Sequence, residues 1–219
     1  TGQPVNIGFY AGENGTTGSP VNIGFYAGRL NTTGSPVNVG YYAGRLNTAG
    51  SPVNVGQFAG ENGTTGDPVN IGFYAGRTNT TGNPVNVGYS AGRLTTTGSP
   101  VNVGFYAGEN GTTGDSTMVG METGRYVIDG TGFCFFGKYA GRALTTGSSN
   151  VSIFGEVPGE VGMTETLILG TGSTTRFRFD LTNGYQFPST SATAGTITPT
   201  HTVTLSFNGT KYKIPCVAA

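Results

Sequence analysis

Residues 33–48 read TGSPVNVGYYAGRLNT, and this phrase recurs down the chain. Residues 1–112 are tandem copies of 16 residues without an insertion, with Pro at 4, 20, 36, 52, 68, 84 and 100. Each Pro is followed by Val and then Asn. An eighth copy, 113–128, keeps the frame but carries Ser116 and Met118 in place of Pro and Asn. Phe136-Gly137-Lys138-Tyr139-Ala140-Gly141 restates the VGYYAG core after a one-residue insertion, and Ile153-Phe154-Gly155 restates it again. A 16-residue unit cannot bury a core alone, so the copies must stack. Positions are counted below from 1 to 16 within a copy, starting at Thr1.

Within a copy, P-V-N-V-G-F-Y-A predicts a strand of about seven residues. A period of 2 places Val37, Val39, Tyr41 and Ala43 on one face and Asn38, Gly40, Tyr42 and Gly44 on the other. The first set is expected to point inward. Pro at the first strand position is where a strand tolerates it. The rest of the copy is turn-rich, with room for one further short strand near Leu30-Asn31-Thr32-Thr33. If each copy is one coil, like residues stack about 4.8 Å apart in parallel ladders. The expected fold is an all-β parallel solenoid.

Composition agrees. Of 219 residues 40 are Gly, more than twice the usual share of about 7%. Gly is costly in helices, so an ordinary helical or α/β enzyme domain is disfavoured. Eleven basic and eleven acidic residues cancel, which removes the basic footprint of a nucleic-acid binder. No apolar run is long enough to cross a membrane as a helix. Cys134 and Cys216 are too few for a disulfide framework. Cys134, between Phe133 and Phe135, reads as a small buried hydrophobe.

Position 13 runs Glu13, Arg29, Arg45, Glu61, Arg77, Arg93, Glu109, Arg125. This period of three copies admits two readings: a 48-residue duplication, or three copies building one turn of a wider triangular solenoid. Position 10 carries Tyr10, Tyr26, Tyr42, Phe58, Tyr74 and Tyr106, broken only at Ser90. Such an aromatic row is more apolar surface than a soluble monomer tolerates, and the Gly at positions 8 and 12 would let another backbone approach. The row is therefore expected at a contact between copies of the chain.

The repeated Asn-Val-Gly-Phe-Tyr-Ala-Gly followed by Asn-Thr-Thr-Gly resembles the N-T-A-(V/I)-G-Y-x-A repeats of bacteriophage tail-fibre and other virion proteins. It is also similar to the shorter S-V-A-I-G repeats in trimeric autotransporter adhesin heads. The resemblance covers about residues 1–160 and implies a left-handed parallel β-roll with three chains side by side. A triple β-spiral shaft is the alternative architecture. The implied role is a non-enzymatic fibre, spike or capsid decoration at the virion surface. Its partners would be itself as a homotrimer, other virion proteins such as capsid or tail, and a host surface glycan or protein. A bacterial cell-surface adhesin stalk or extracellular filament subunit is the alternative. No nucleic acid, membrane or cofactor enters either reading. The chain opens in frame with the repeat, which leads us to expect a longer or anchored parent.

The repeat fades through 129–165, which follow the regular 1–128 shaft, and 166–219 are expected to form a C-terminal β cap. Thr166–Leu169 and Arg176–Leu181 read as strands. His201–Phe207, Asn208-Gly209 and Thr210–Ile214 read as a hairpin on the strongest short turn signal. Loops on such a cap are where recognition would sit, with Arg176, Arg178, His201 and Lys211 as candidate tip residues. Catalytic constellations are lacking. Glycosidase carboxyls lie about 5–9 Å apart, whereas the position-13 Glu residues recur three coils apart. Glu156, Glu160 and Glu165 form a loose cluster in a turn. We assign no catalytic, cofactor-binding or metal residues.

Overall fold

The structure is a computed structural model. It describes residues 2–153 except 16, 32, 48, 64, 79, 80, 112, 113 and 143. Of residues 154–219 it describes the backbone of the strands named below. The carboxylates Glu156, Glu160 and Glu165 lie outside the described residues. Two compact units are present, Thr1–Pro188 and Ser189–Ala219.

The first unit is an all-β parallel solenoid. Each copy contributes one three-residue strand, Val-Asn-Val/Ile in the first seven: β1 (Val5–Ile7), β2 (Val21–Ile23), β3 (Val37–Val39), β4 (Val53–Val55), β5 (Val69–Ile71), β6 (Val85–Val87), β7 (Val101–Val103) and β8 (Thr117–Val119). They pair in parallel, with Val5 opposite Val21, Val37 opposite Val53, and so on through Val103 opposite Val119. The partner is always 16 residues away, so one copy makes one coil. A wider turn of three copies is excluded.

The regular column continues through β10 (Cys134–Phe136), β12 (Val151–Ile153) and β14 (Thr166–Thr171), all parallel. Cys134 faces Thr117, a separation that contains the inserted residue. β15 (Thr174–Asp180) and β16 (Gly184–Gln186) then join antiparallel. A second small sheet forms from β9 (Asp129–Thr131), β11 (Thr146–Ser148) and β13 (Met163–Thr164). The second unit holds one antiparallel hairpin, β17 (Pro199–Phe207) with β18 (Thr210–Val217).

The strand is shorter than the seven residues expected because Gly-Phe-Tyr-Ala-Gly is a run of turns. In copy 2 the Ala27 N–H donates to the Gly24 carbonyl at 3.4 Å, and the Arg29 N–H donates to the Tyr26 carbonyl at 3.3 Å. The third residues of these two turns, Tyr26 and Gly28, have φ of 54° and 57°, as this turn type requires. Position 10 is left-handed in every copy, from Tyr10 to Tyr139. The turns do not interrupt the ladder. Gly24 N–H donates back to Ile7 at 2.8 Å, Tyr26 N–H to Phe9 at 3.0 Å, and Gly28 N–H forward to Ala43 at 2.9 Å. No strand is found at Leu30, Asn31 or Thr33, and Thr32 lies outside the described residues.

These turns also overturn the inward face. Asn22, Asn38, Asn54, Asn70, Asn86 and Asn102 are buried, as are Ala27, Ala43, Ala59, Ala75, Ala91 and Ala107. The expected core residues Val37 and Val39 are only half-buried and Tyr41 is exposed. Alternation holds inside the strand, so Pro36 and Asn38 share the inner side and Val37 and Val39 the outer. The left-handed turn residues then shift the parity, bringing Ala43 inward instead of with Tyr41. In copies 2 to 7 each coil turns one Asn amide and one Ala methyl group inward. The amides satisfy one another: Asn38 Nδ2 donates to Asn22 Oδ1, Asn54 to Asn38, and Asn70 to Asn54, all at 2.8 Å. Buried polar groups are tolerated when paired in this way.

Two glycine columns follow from the same geometry. A Cβ at Gly40 would stand 2.5 Å from the Gly56 carbonyl oxygen of the next coil. One at Gly44 would collide with Asn38 Oδ1. The close approaches at positions 8 and 12 are thus made by the chain's own next coil and its own Asn ladder, not by a second chain.

The ladder stops where Met118 takes the Asn position, and Asn102 Oδ1 has no hydrogen-bond partner among the described residues. From there the interior is apolar: Met118, Val127, Phe133, Phe135, Ala140 and Leu144 form one buried cluster. Cys134 lies between two inward Phe residues, faces outward and is half-buried rather than buried.

Candidate functional site

Among the described residues, the charged and aromatic side chains fall in columns along the shaft. Position 13 forms a charge ladder. Glu61 sits between Arg45 at 3.4 Å and Arg77 at 2.8 Å, and Glu109 between Arg93 at 3.4 Å and Arg125 at 2.8 Å. Glu13 pairs with Arg29 at 2.6 Å, and Glu122 receives both Arg125 and Arg142. The period of three copies therefore has a structural meaning: one Glu in three lets every Arg of the shaft touch a carboxylate in an adjacent coil. Glu61 and Glu109 are nearly buried by their two Arg neighbours. The hydrogen bond from Arg29 to Glu13 raises the Arg29 pKa, outweighing its desolvation. For Arg125 desolvation is the larger single influence and lowers the pKa, but bonds to Glu109 and Glu122 together raise it.

The same arginines lie over position 10. Arg29 stands 4.8 Å from the Tyr26 ring centre, Arg45 5.1 Å from Tyr42, Arg77 5.0 Å from Tyr74 and Arg125 4.2 Å from Tyr106. These are cation–π distances. Along the column, Tyr10, Tyr26, Tyr42, Phe58 and Tyr74 stack at 5.0–5.5 Å between ring centres. Ser90 then interrupts the stack and is itself buried. Tyr10 is exposed, while Tyr26, Tyr42, Phe58, Tyr74 and Tyr106 are half-buried. Desolvation first, and then the neighbouring Tyr41 and Tyr89 respectively, raise the pKa of Tyr42 and Tyr106. Left-handed backbone at a non-Gly residue costs about 1–3 kcal/mol, and each ring pair returns about 0.5–1.5 kcal/mol. Where a ring stands at position 10, the stacking and the Arg cover offset that cost, while Ser90 and Glu122 hold the same φ without a ring.

Position 9, which alternation along the strand would turn inward, is a second aromatic column on the outer surface. Phe9, Phe25 and Tyr41 stack at 5.6 and 5.3 Å, and Phe73, Tyr89 and Phe105 at 5.0 and 5.1 Å. Gln57 separates the two stacks and is exposed. Phe9, Phe25, Tyr41, Tyr89 and Phe105 keep 36–62% of their surface. The outward residues of positions 5 and 7 flank them, with Val5, Ile7, Ile23 and Ile71 exposed. The signal that could have found this column was the pair of Gly at positions 8 and 12, which brackets a turn rather than a strand.

Position 3 is a polar column. The Ser35 N–H donates to Ser51 Oγ at 3.0 Å, Asp67 N–H to Asn83 Oδ1 at 2.7 Å, and Ser99 N–H to Asp115 Oδ1 at 2.6 Å. Ser, Asp and Asn alternate there because each supplies an acceptor to the preceding coil. Among the described residues no group of three or more His, Cys, Asp or Glu is placed to hold a metal, and no helix could cross a membrane. Arg176 and Arg178 lie on β15, His201 on β17 opposite Cys216, and Lys211 on β18 opposite Ser206. Their side chains lie outside the described residues.

The fold and surface define a tandem-repeat parallel β-solenoid whose invariant side chains bind coil to coil. No family model, curated protein or solved structure matches the chain.

Proposed function

We propose that this is a non-enzymatic structural protein, a self-associating shaft that serves as a fibre, spike or capsid-surface decoration of a phage virion. The observation that carries the reading is how the solenoid uses its side chains. Asn is spent on the inner ladder, position 3 on coil-to-coil acceptors, and the Glu and Arg of position 13 on one another. Among the described residues of the shaft, an aromatic and aliphatic strip broken at Gln57 remains outward and is suited to burial against further chains. The repeat's similarity to phage tail-fibre sequences supports placing the assembly on a virion, as a homotrimer with capsid or tail proteins at one end. Recognition of a host surface glycan or protein belongs to residues 166–219 in this reading.

Two measurements test it. Light scattering of the purified chain at micromolar concentration should give a trimer, and a monomer would refute self-association. Gold-labelled antibody against the chain should mark projections or capsids on phage particles. Labelling of bacterial envelopes instead would replace the virion reading with a cell-surface adhesin or filament.

A further inference from the structure

Self-association, on which the following rests, leaves open which columns meet and at what axial offset. The structure distinguishes the columns. Position 10 is already covered by Arg29, Arg45, Arg77 and Arg125 of the same chain. Positions 5, 7 and 9 carry no such cover. At about 150–250 Å² per aromatic side chain, the five most exposed residues of position 9 alone leave about 350–550 Å² accessible. That already matches the largest apolar patch of a typical monomer, about 300–600 Å². With Val5, Ile7, Ile23 and Ile71 added, the strip approaches the roughly 800 Å² per partner of a stable protein interface.

The occupant is set by periodicity. The strip presents identical apolar rows once per coil, and a surface that meets every row needs the same rise. A second copy of this chain has it. The strip also carries no Arg, Lys, Asp or Glu in the first seven copies, so it offers nothing to a charged partner. Identical rows create a difficulty, because two copies could slide by one coil and still match apolar rows to apolar rows. One residue breaks that degeneracy. Gln57 is the single amide in the position-9 column of those copies, between Tyr41 and Phe73. Offset by one coil, it would face an aromatic ring with its amide unpaired. Level with the Gln57 of another copy, its donors and acceptor can pair. A lone polar residue in an apolar seam fixes register in this way.

We infer that copies of this chain pack through the strip formed by positions 5, 7 and 9 with their fourth coils level, and that Gln57 sets that register. The test uses the whole chain with Cys134→Ser and Cys216→Ser. Single cysteines are placed in position 7 of adjacent coils, Val55→Cys and Ile71→Cys, and off the strip at Leu46→Cys. Under mild oxidation the 55–55 disulfide should form at least about tenfold faster than the 55–71 disulfide in mixed samples, and 46–46 should be slow. Gln57→Phe restores the residue usual in this column, so folding is retained. In that background 55–71 should rise to within about twofold of 55–55.

An assembly that cross-links through Leu46→Cys but not Val55→Cys overturns the choice of face. Equal 55–55 and 55–71 rates in the parent, or an unchanged preference in Gln57→Phe, overturn the register. In each of these cases scattering still reports an oligomer and the structural reading stands. A monomer by scattering refutes both together.

Discussion

Removing one rung of the inner ladder tests the claim that amides, rather than aliphatic side chains, hold the coils together. Asn54 donates to Asn38 Oδ1 and accepts from Asn70 Nδ2, both at 2.8 Å, with no surface exposed. Asn54→Ala removes both bonds and takes the ladder partner from two buried groups, the Asn38 acceptor and one Asn70 donor. Each such group costs about 1–3 kcal/mol, so about 4 kcal/mol is expected. Pairs of substitutions make the test sharper. Replacing the neighbours Asn54 and Asn70 removes three ladder bonds but still strands only two groups, Asn38 Oδ1 and Asn86 Nδ2. Replacing the alternate residues Asn54 and Asn86 removes four bonds and takes the ladder partner from four groups, two of them on Asn70. The neighbour pair should therefore cost little more than the single variant, and the alternate pair about twice as much. Urea unfolding at fixed protein concentration reads the totals. Hydrogen exchange of amides in the third to fifth coils shows whether the loss is local, as expected where each repeat interacts with its neighbours. Equal costs for the two pairs, or a single-variant cost below about 1 kcal/mol, would refute the ladder argument.

Three further outcomes are expected. Gly40→Ala places a methyl group 2.5 Å from the Gly56 carbonyl oxygen at φ 138° and should cost about 3 kcal/mol or more in urea unfolding. Gly111→Ala, whose Cβ meets nothing closer than 3.4 Å, should stay within about 0.5 kcal/mol. Glu109→Gln leaves Arg93 and Arg125 facing a neutral amide. The arginines are partly exposed, so the loss should be about 1–2 kcal/mol at low salt and shrink as salt screens the repulsion. Tyr42 and Tyr106 should titrate above the ordinary value of 10.0 when followed by absorbance near the tyrosinate band. A phenol whose pKa is raised on folding holds its proton better in the folded state. Its contribution is therefore full below the unfolded pKa and is lost as pH rises from there through the folded value. Stability should accordingly fall above about pH 10, and less so in Tyr42→Phe with Tyr106→Phe.

The repeat alone was enough to establish the fold class. Sixteen residues with one Pro-Val-Asn-Val, repeated without insertion, can fold only by stacking, and the observed register is the repeat length. The inserted residue before Phe136 and the return of the motif at Ile153 were equally legible, because they are shifts of frame. Which side of the strand faces inward was not legible. A period of 2 is symmetric between Val37/Val39 and Asn38, and hydropathy favours the valines. Pairing reverses that choice, since the stacked Asn side chains hydrogen-bond one another along the interior, as valines could not. The parity of Tyr41, Tyr42 and Ala43 was hidden for a related reason. Left-handed φ at position 10 is a property of the closed coil, kept even where Ser90 and Glu122 stand in place of a ring, and no single copy carries it. The Glu and Arg of position 13 were visible as a period but not as a ladder. Only stacking at one copy per coil brings residues 16 apart to within 2.6–3.4 Å, where charge decides the pattern.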